Sequence, residues 1–343
     1  MTDLRTIAPH ATAAAAGLGG AAIAALLGIP AAPLIGATLG VALAGALGAR
    51  VKVATRLRDL AFATIGVSLG AGIDPEIVAQ LPDWTLSLAM LVLSLAATLA
   101  VGHLLLTRLF GLDGETAILS SSPGTMSNAL AIAAEGRGDT TAVMVLQVLR
   151  LLVLVVAVPP IAVAIGAPDL SAVTVHPPMA PLPLVVLLAI SLALGIAGSR
   201  MGIPAASLIA GMVMSGLAHV FALAEGPAPP WAVFTGFAVT GGVLGTRVAG
   251  IKAAEFIRFV GAGLIVVLAT LAVAIAFSLV TWSLTGLPIG QIVIAYAPGG
   301  VEAMAAIGLL LGFDPAYIAA HHFARILILL ILVPIALKRF GRA

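Results

Sequence analysis

The sequence predicts an all-α polytopic membrane protein made of two inverted repeats, with about ten transmembrane helices and two re-entrant or broken helical hairpins. Three observations predict it. The 343-residue chain is 61% hydrophobic and 9% charged, against about 25% charged residues in soluble domains. Its apolar stretches are continuous rather than alternating, which excludes a membrane β-barrel. Runs such as Thr85 to Leu106 and Phe259 to Phe277 have the ~20 residues needed to cross a ~30 Å hydrocarbon core. Finally, one unusual segment occurs twice.

The first copy reads Ser122-Pro123-Gly124-Thr125-Met126-Ser127-Asn128, continues to Asp139, and leads into an apolar helix that carries Arg150 and ends at Pro159. The second reads Ala297-Pro298-Gly299-Gly300-Val301-Glu302, continues to Asp314, and leads into a helix that carries Arg325 and ends at Pro334. The differences 298−123, 314−139, 325−150 and 334−159 are all 175. Gly66 and Gly70 reappear as Gly241 and Gly245 at the same offset, and Gly28-Ile29-Pro30-Ala31-Ala32 reappears as Gly202-Ile203-Pro204-Ala205-Ala206 at 174. The chain is therefore read as a first membrane repeat over 1–165, a Pro-rich linker over 166–181 and a second repeat over 182–343, forming one integrated membrane domain.

Each repeat contains six apolar segments: 11–28, 31–48, 57–73, 85–107, 114–136 and 140–164, then 182–199, 204–223, 231–249, 258–284, 288–311 and 315–337. The N-terminus has no small-residue cleavage signature before its apolar stretch, so the first segment reads as an uncleaved span. Lys and Arg mark cytoplasmic loops. Arg50, Lys52, Arg56, Arg58 and Arg108 place two loops of the first repeat inside, and Asp74, Glu76 and Asp83 place one outside. In the second repeat Arg200, Arg247, Lys252, Arg258, Lys338, Arg339 and Arg342 lie inside, and Glu225 outside. All these loops agree if each Pro-Gly segment enters and leaves on one side, leaving five full spans per repeat and inverting the second. Both termini are then cytoplasmic, in the inner membrane, and Trp84, Trp231 and Trp282 fall at the outer interface, where Trp is favoured.

Inverted repeats with broken helices are the build of secondary transporters, with the site near the midplane. Around Ser121, Ser122, Pro123, Gly124, Thr125, Ser127 and Asn128, proline removes a donor and glycine allows close approach. The half-helix beyond the break then offers free N–H groups that favour an anion. Pro298, Gly299 and Gly300 make the matching break. Arg150 and Arg325 sit about ten residues into apolar spans, where a charge costs from ~2.5 to more than 10 kcal/mol unless paired or hydrated. Their donors suit a carboxylate or phosphate. A structural reading stands beside this: each arginine ties its helix to Glu135, to Glu302 or to the carbonyls of the hairpin. Glu302 and His322 are candidates for ion or proton coupling, with His321 on the same face and Gln147 at the position matching His322.

The cysteine count is zero and no His or acidic cluster has ligand spacing, so no metal, cofactor or catalytic centre is expected, and the chain is not read as an enzyme. The expected partners are the lipid bilayer and a small anionic solute, with Na⁺ or H⁺ as coupling ion. Nucleic acid is not expected, because the chain has no soluble basic helix.

With these residues in place, the chain resembles the AbrB-type duplicated membrane-protein family. The resemblance rests on Ala297-Pro298-Gly299-Gly300-Val301-Glu302-Ala303-Met304, Ser122-Pro123-Gly124, the two Gly-Ile-Pro segments and His321-His322-x-x-Arg325, and it covers nearly the whole chain. Members carry labels such as regulator of AidB or ammonia monooxygenase, so the resemblance also implies two alternatives: a membrane regulator acting through a partner, and a membrane oxidoreductase. An oxidase for ammonia needs a copper or iron site for which this chain has no ligand cluster. Thr125 stands where the family has a second glycine, and Asn128 where an acid is expected, which leaves coupling to Glu302. At the level of fold, the family is similar to bile-acid symporters and cation/proton antiporters. Such elevator-like carriers are often homodimers, and they move a hairpin core against other helices, here those around Pro30 and Pro204.

Overall fold

In the computed structural model, which describes residues 4–73, 81–123, 126–166, 177–203 and 205–340, the chain is all-helical. The first repeat forms α1 (Leu4–Leu26), α2 (Ala32–Ala46), α3 (Thr55–Gly70), α4 (Thr85–Arg108), α5 (Gly114–Ser121), α6 (Met126–Ala134) and α7 (Thr140–Gly166). The second repeats this order as α8 (Pro181–Arg200), α9 (Ala206–Val220), α10 (Pro230–Ala249), α11 (Ala253–Thr285), α12 (Ile289–Tyr296), α13 (Val301–Leu310) and α14 (Pro315–Phe340). Among the described residues seven helices are long and apolar enough to cross a membrane, and α2 and α9 are shorter apolar helices. The chain is a polytopic α-helical membrane protein.

The repeated Gly-Ile-Pro-Ala-Ala sequence is a helix stop followed by a helix start. Gly28 (φ 65°) and Gly202 (φ 78°) take the left-handed conformation that ends α1 and α8. The next residue then bonds back five positions, Ile29 N to Ala24 O and Ile203 N to Gly198 O, each at 3.0 Å. This is the Schellman closure, which satisfies carbonyls left unpaired at the helix end. Ala31 and Ala205, also left-handed, then open α2 and α9. The linker residues 167–176 and Pro204 lie outside the described residues.

Two compact units form, and neither coincides with a repeat. Unit 1 comprises Met1–Leu81, Ala167–Gly250 and Val301–Ile318; unit 2 comprises Pro82–Gly166, Ile251–Gly300 and Ala319–Ala343. Inside unit 1 the repeats exchange partners, since α3 packs on α9 while α10 packs on α2. The duplicated glycines make this possible. A Cβ on Gly66 would lie 2.1 Å from Leu208 O, and one on Gly70 2.4 Å from Met212 O. On the equivalent pair, Gly241 and Gly245 would reach 2.3 Å from Leu34 O and 2.7 Å from Thr38 O. Ser215 adds a hydrogen bond to Val67 O at 2.7 Å. In lipid, helices associate by such close backbone approach rather than by the hydrophobic effect.

In unit 2, α11 packs on α4, α7 and α12, and α7 packs on α5, α6 and α12. One expectation is corrected here. The arginine-bearing helices do not end at Pro159 and Pro334; α7 runs through Pro159 and Pro160 to Gly166, and α14 through Pro334 to Phe340. Proline costs a helix one hydrogen bond, and membrane helices tolerate this where neighbouring groups re-satisfy the backbone. Trp231 and Trp282 are exposed, whereas Trp84 is turned inward and buried.

Replacing Gly66 or Gly241 by alanine is expected to lower the melting midpoint of the detergent-solubilised protein, at a cost of about 1–3 kcal/mol each. Gly261→Ala, where a Cβ meets nothing within 4 Å, should leave the midpoint unchanged or raise it slightly. Equal midpoints for all three variants would disprove the close-packing account.

Candidate functional site

The first break starts from a capped helix. The Asp113 carboxylate accepts from Thr116 N (2.8 Å) and Thr116 Oγ1 (2.6 Å), which fixes the start of α5. Eight residues later α5 stops, about 12 Å along its axis. Ser122 precedes a proline and is extended (φ −63°, ψ 119°), as the ring of Pro123 requires. After α6 the chain comes back to where it entered. Arg137 pairs with Glu115 at 2.8 Å, and Asp139 N donates to Thr116 Oγ1 at 2.7 Å. The segment is therefore a re-entrant hairpin.

The duplicated aspartates are helix caps. Asp139 Oδ1 accepts from Thr141 N (2.8 Å) and Ala142 N (3.1 Å). Asp314 Oδ1 accepts from Ala316 N (2.9 Å) and Tyr317 N (3.2 Å). Because α5 and α7 start at the same end, Arg150, roughly 15 Å along α7, lies level with the end of α5.

There the guanidinium meets the break. Arg150 Nη1 donates to Ser122 O at 2.8 Å and approaches Ser120 O at 3.5 Å, while Nη2 lies 3.4 Å from Gln147 Oε1. Gln147 Nε2 donates to Leu119 O at 2.8 Å. In the second repeat Arg325 Nη1 donates to Ala297 O at 2.7 Å, and Nη2 to Gly299 O. Ser122 and Ala297 are 175 residues apart, so the two latches are one device used twice. His322 takes the place of Gln147: it is fully buried beside the Ile294 carbonyl, the counterpart of Leu119, with neither ring nitrogen in a hydrogen bond of good geometry. A broken helix leaves carbonyls unpaired and the negative end of its dipole exposed, and a cation placed there satisfies both. The hairpin-carbonyl alternative for the arginines is thus the arrangement seen, and Glu135 is exposed.

Arg150 is 5% exposed and Arg325 1%, so both charges are buried. No carboxylate pairs with Arg150 among the described residues, whose ion pairs include Arg58–Asp59, Arg137–Glu115 and Lys252–Glu255. Carbonyl dipoles stabilise a guanidinium without cancelling its charge, and arginine does not neutralise by losing its proton.

The other candidates are distributed as follows. Pro123, Pro298 and Gly299 are buried in the breaks, Gly300 is half-buried, and Asn128 is exposed. Ser121 is buried, and its hydroxyl donates to Ala117 O at 2.7 Å. Gly124 and Thr125, with the side chains of Ser127 and Glu302, lie outside the described residues. Ser122 and Asn128 line a small cavity of about 20 Å³ whose apolar walls include Ile132, Ile326 and Leu329. Among the described residues no group of three His, Cys, Asp or Glu is placed to hold a metal ion.

One cluster escaped the sequence reading in part. His321 Nε2 lies 2.9 Å from Ser87 Oγ, and its ring stacks on Tyr296 with centroids 6.3 Å apart. The Tyr296 hydroxyl donates to Ser87 O and lies 3.0 Å from Thr281 Oγ1. Trp84 closes this cluster, 6.4 Å from His321. A tyrosine next to a predicted break was the one available signal. Ser87 and Thr281 gave none, since membrane-buried hydroxyls commonly bond their own helix, as Thr270 and Ser278 do here.

Comparison with known proteins places the chain. It is 26% identical over 295 residues to the Bacillus subtilis (strain 168) protein named "Uncharacterized protein YhjN", covering 79% of this chain and 75% of that protein. It is 36% identical over 110 residues to the Escherichia coli (strain K12) protein named "Putative regulator AbrB", covering 31% of this chain and 30% of that one. The family described as "Transition state regulatory protein AbrB" matches residues 34–341, so the chain belongs to the AbrB family.

Proposed function

We propose that this protein is a secondary transporter of a small anionic solute, an organic carboxylate or an inorganic anion, in the cytoplasmic (inner) membrane. The observation that carries this reading is the pair of helix breaks, each with its carbonyls bound by a buried arginine. A purely structural bundle has no use for two such breaks, because an unbroken helix satisfies the same backbone groups without burying a charge. The uncompensated charge of Arg150 sets the sign of the solute. Both forks are occupied by carbonyls, so the arginines act by holding the breaks open and by their field. The solute itself is received at the first break, by Ser122 and Asn128.

The movement in this reading is elevator-like, a hairpin core displaced against the helices around Pro30 and Pro204. Coupling to H⁺ or Na⁺ is assigned to Glu302 and His322. The protein is neither an enzyme nor dependent on a cofactor in this reading, it works in the bilayer, and a homodimer is the expected assembly. The short-loop arginines and lysines support a cytoplasmic position for both termini. The word regulator in the Escherichia coli relative's name fits an indirect effect, in which moving a solute changes what a separate regulator senses.

In proteoliposomes loaded to give an inward gradient, uptake of the accepted anion is expected to fall roughly tenfold to a hundredfold in Arg150→Gln and in Arg325→Gln. That range corresponds to losing one charged hydrogen bond worth about 1.5–3 kcal/mol. Uptake indifferent to both substitutions retires the anion reading. His322→Gln, which installs the amide found at Gln147, should preserve uptake and flatten its dependence on an imposed pH gradient. An unchanged pH response would move proton coupling away from His322.

A further inference from the structure

The loops that follow α2 and α9 are fastened by histidines at matching carbonyls. Subtracting 174 from Gly226 gives Lys52. His10 Nδ1 lies 2.9 Å from Lys52 O, and His219 Nε2 lies 3.0 Å from Gly226 O. The two clasps come from different helices, since His10 stands on α1 and His219 on α9 itself. Both belong to unit 1.

The clasps differ in the number of protons they need. His219 Nδ1 lies 2.7 Å from Ser215 O, so both of its ring nitrogens face carbonyl oxygens. A carbonyl only accepts, and a neutral imidazole has one N–H. Both bonds therefore exist together only in the doubly protonated ring. If Nε2 loses its proton, the tie to Gly226 O is lost. If Nδ1 loses its proton, that nitrogen can only accept, and the nearest hydroxyl is Ser215 Oγ at 3.4 Å. That hydroxyl now donates to Val67 O on α3 at 2.7 Å. Either neutral form thus gives up one tie of α9. His10 needs one proton for its bond to Lys52 O, and a neutral ring supplies it.

The loop held by His219 carries strain. Ala222 (φ 52°) takes the left-handed turn at the end of α9, where the first repeat has Gly48 (φ 88°). A residue with a Cβ pays for that conformation. Leu223 N nevertheless closes on Ala218 O at 2.7 Å, as Ala49 N does on Ala44 O at 3.0 Å. Further along, the loop receives the chain that leads into α8. Met179 N donates to Pro227 O at 2.8 Å, and Met179 is buried in one apolar cluster with Ala224 and Ala228.

The charged groups of the surrounding elements lie elsewhere. Arg56, Arg58 and Asp59 stand at the start of α3, which meets the His219 end of α9 with Gly70 and Ile73 instead. Arg200 and Arg247 are in the last turns of α8 and α10, which both start next to this loop. Glu225, in the loop itself, is exposed. Asp74, Glu76 and His176 lie outside the described residues.

We propose that His219 is a pH-operated clasp on the loop 222–229. As the imidazolium it fastens that loop, and with it the end of the linker, to α9. Histidine changes charge in the range of about pH 5 to 8, and the loss of one proton opens one tie. His10 is the counterpart that pH leaves closed. The device does not depend on the protein being a transporter.

Amide hydrogen exchange of the full chain in detergent tests the clasp, with each rate divided by that of an unstructured peptide at the same pH. Between about pH 5.5 and about pH 8, the amides of Leu223 and Met179 are expected to lose protection about tenfold, the effect of one hydrogen bond to a charged group. The amides of Ala49 and Lys52, in the loop that His10 holds, should keep theirs. His219→Gln should abolish the pH difference, and Glu225→Gln should preserve it. His10→Gln should lower protection at Lys52 equally at both pH values. Equal protection of Leu223 and Met179 at both pH values in the unmodified chain overturns the clasp, as does a pH difference that survives in His219→Gln. A loss as large at Gly241 in α10 means general unfolding and overturns it too.

Discussion

A helix interrupted at membrane depth must give its last carbonyls a partner other than water, and the architecture of unit 2 follows from that requirement. Leaving each group unsatisfied costs several kcal/mol in hydrocarbon. This chain brings a guanidinium from the neighbouring helix to Ser122 O and to Ala297 O. The partner can arrive only if that helix runs alongside the half-helix and starts level with it. The Asp113 and Asp139 caps and the Arg137–Glu115 pair enforce this at the hairpin mouth. Caps, short half-helix, break and arginine thus form one dependent set, and losing the latch removes the reason for the rest.

The same accounting explains unit 1 by another route. Its helices α2, α3, α9 and α10 are held by close approach. Glycines face the backbone carbonyls of the opposite repeat at Leu208, Met212, Leu34 and Thr38. Since α3 meets α9 and α10 meets α2, each repeat completes the other's packing. The two repeats are thereby packed into one body, and the compact units cut across them.

Much of this was legible in the sequence because the constraints act on single residue types. Pro-Gly breaks, buried arginines, left-handed glycines and capping aspartates each leave one readable residue, and the constant offset ties them into a pattern. The hidden part lies in contacts whose residues have common alternative uses. Whether Arg150 faces a solute or a carbonyl depends on the register of α7 against α5, which no residue type reveals. The continuation of α7 past Pro159 and Pro160 depends on neighbouring helices, and proline alone argued for a stop. Ser87 and Thr281 look like ordinary back-bonding hydroxyls until Tyr296 is placed between them.

Setting the repeats side by side separates what the fold requires from what it leaves open. The latch, the caps and the glycines recur with the same chemistry because each satisfies or approaches the backbone, whose geometry the two repeats share. The side chains that fill space around them have diverged: Gln147 against His322, Ser121 against Tyr296, Leu146 against His321 and Leu106 against Thr281. Every one of these exchanges places the ring or the additional polar group in the second repeat. The two arginines consequently share a role toward the backbone but not toward their surroundings. The second sits in the repeat that carries the polar cluster of Ser87, Tyr296, Thr281 and His321, and the first beside Ser121, Leu106 and Leu146.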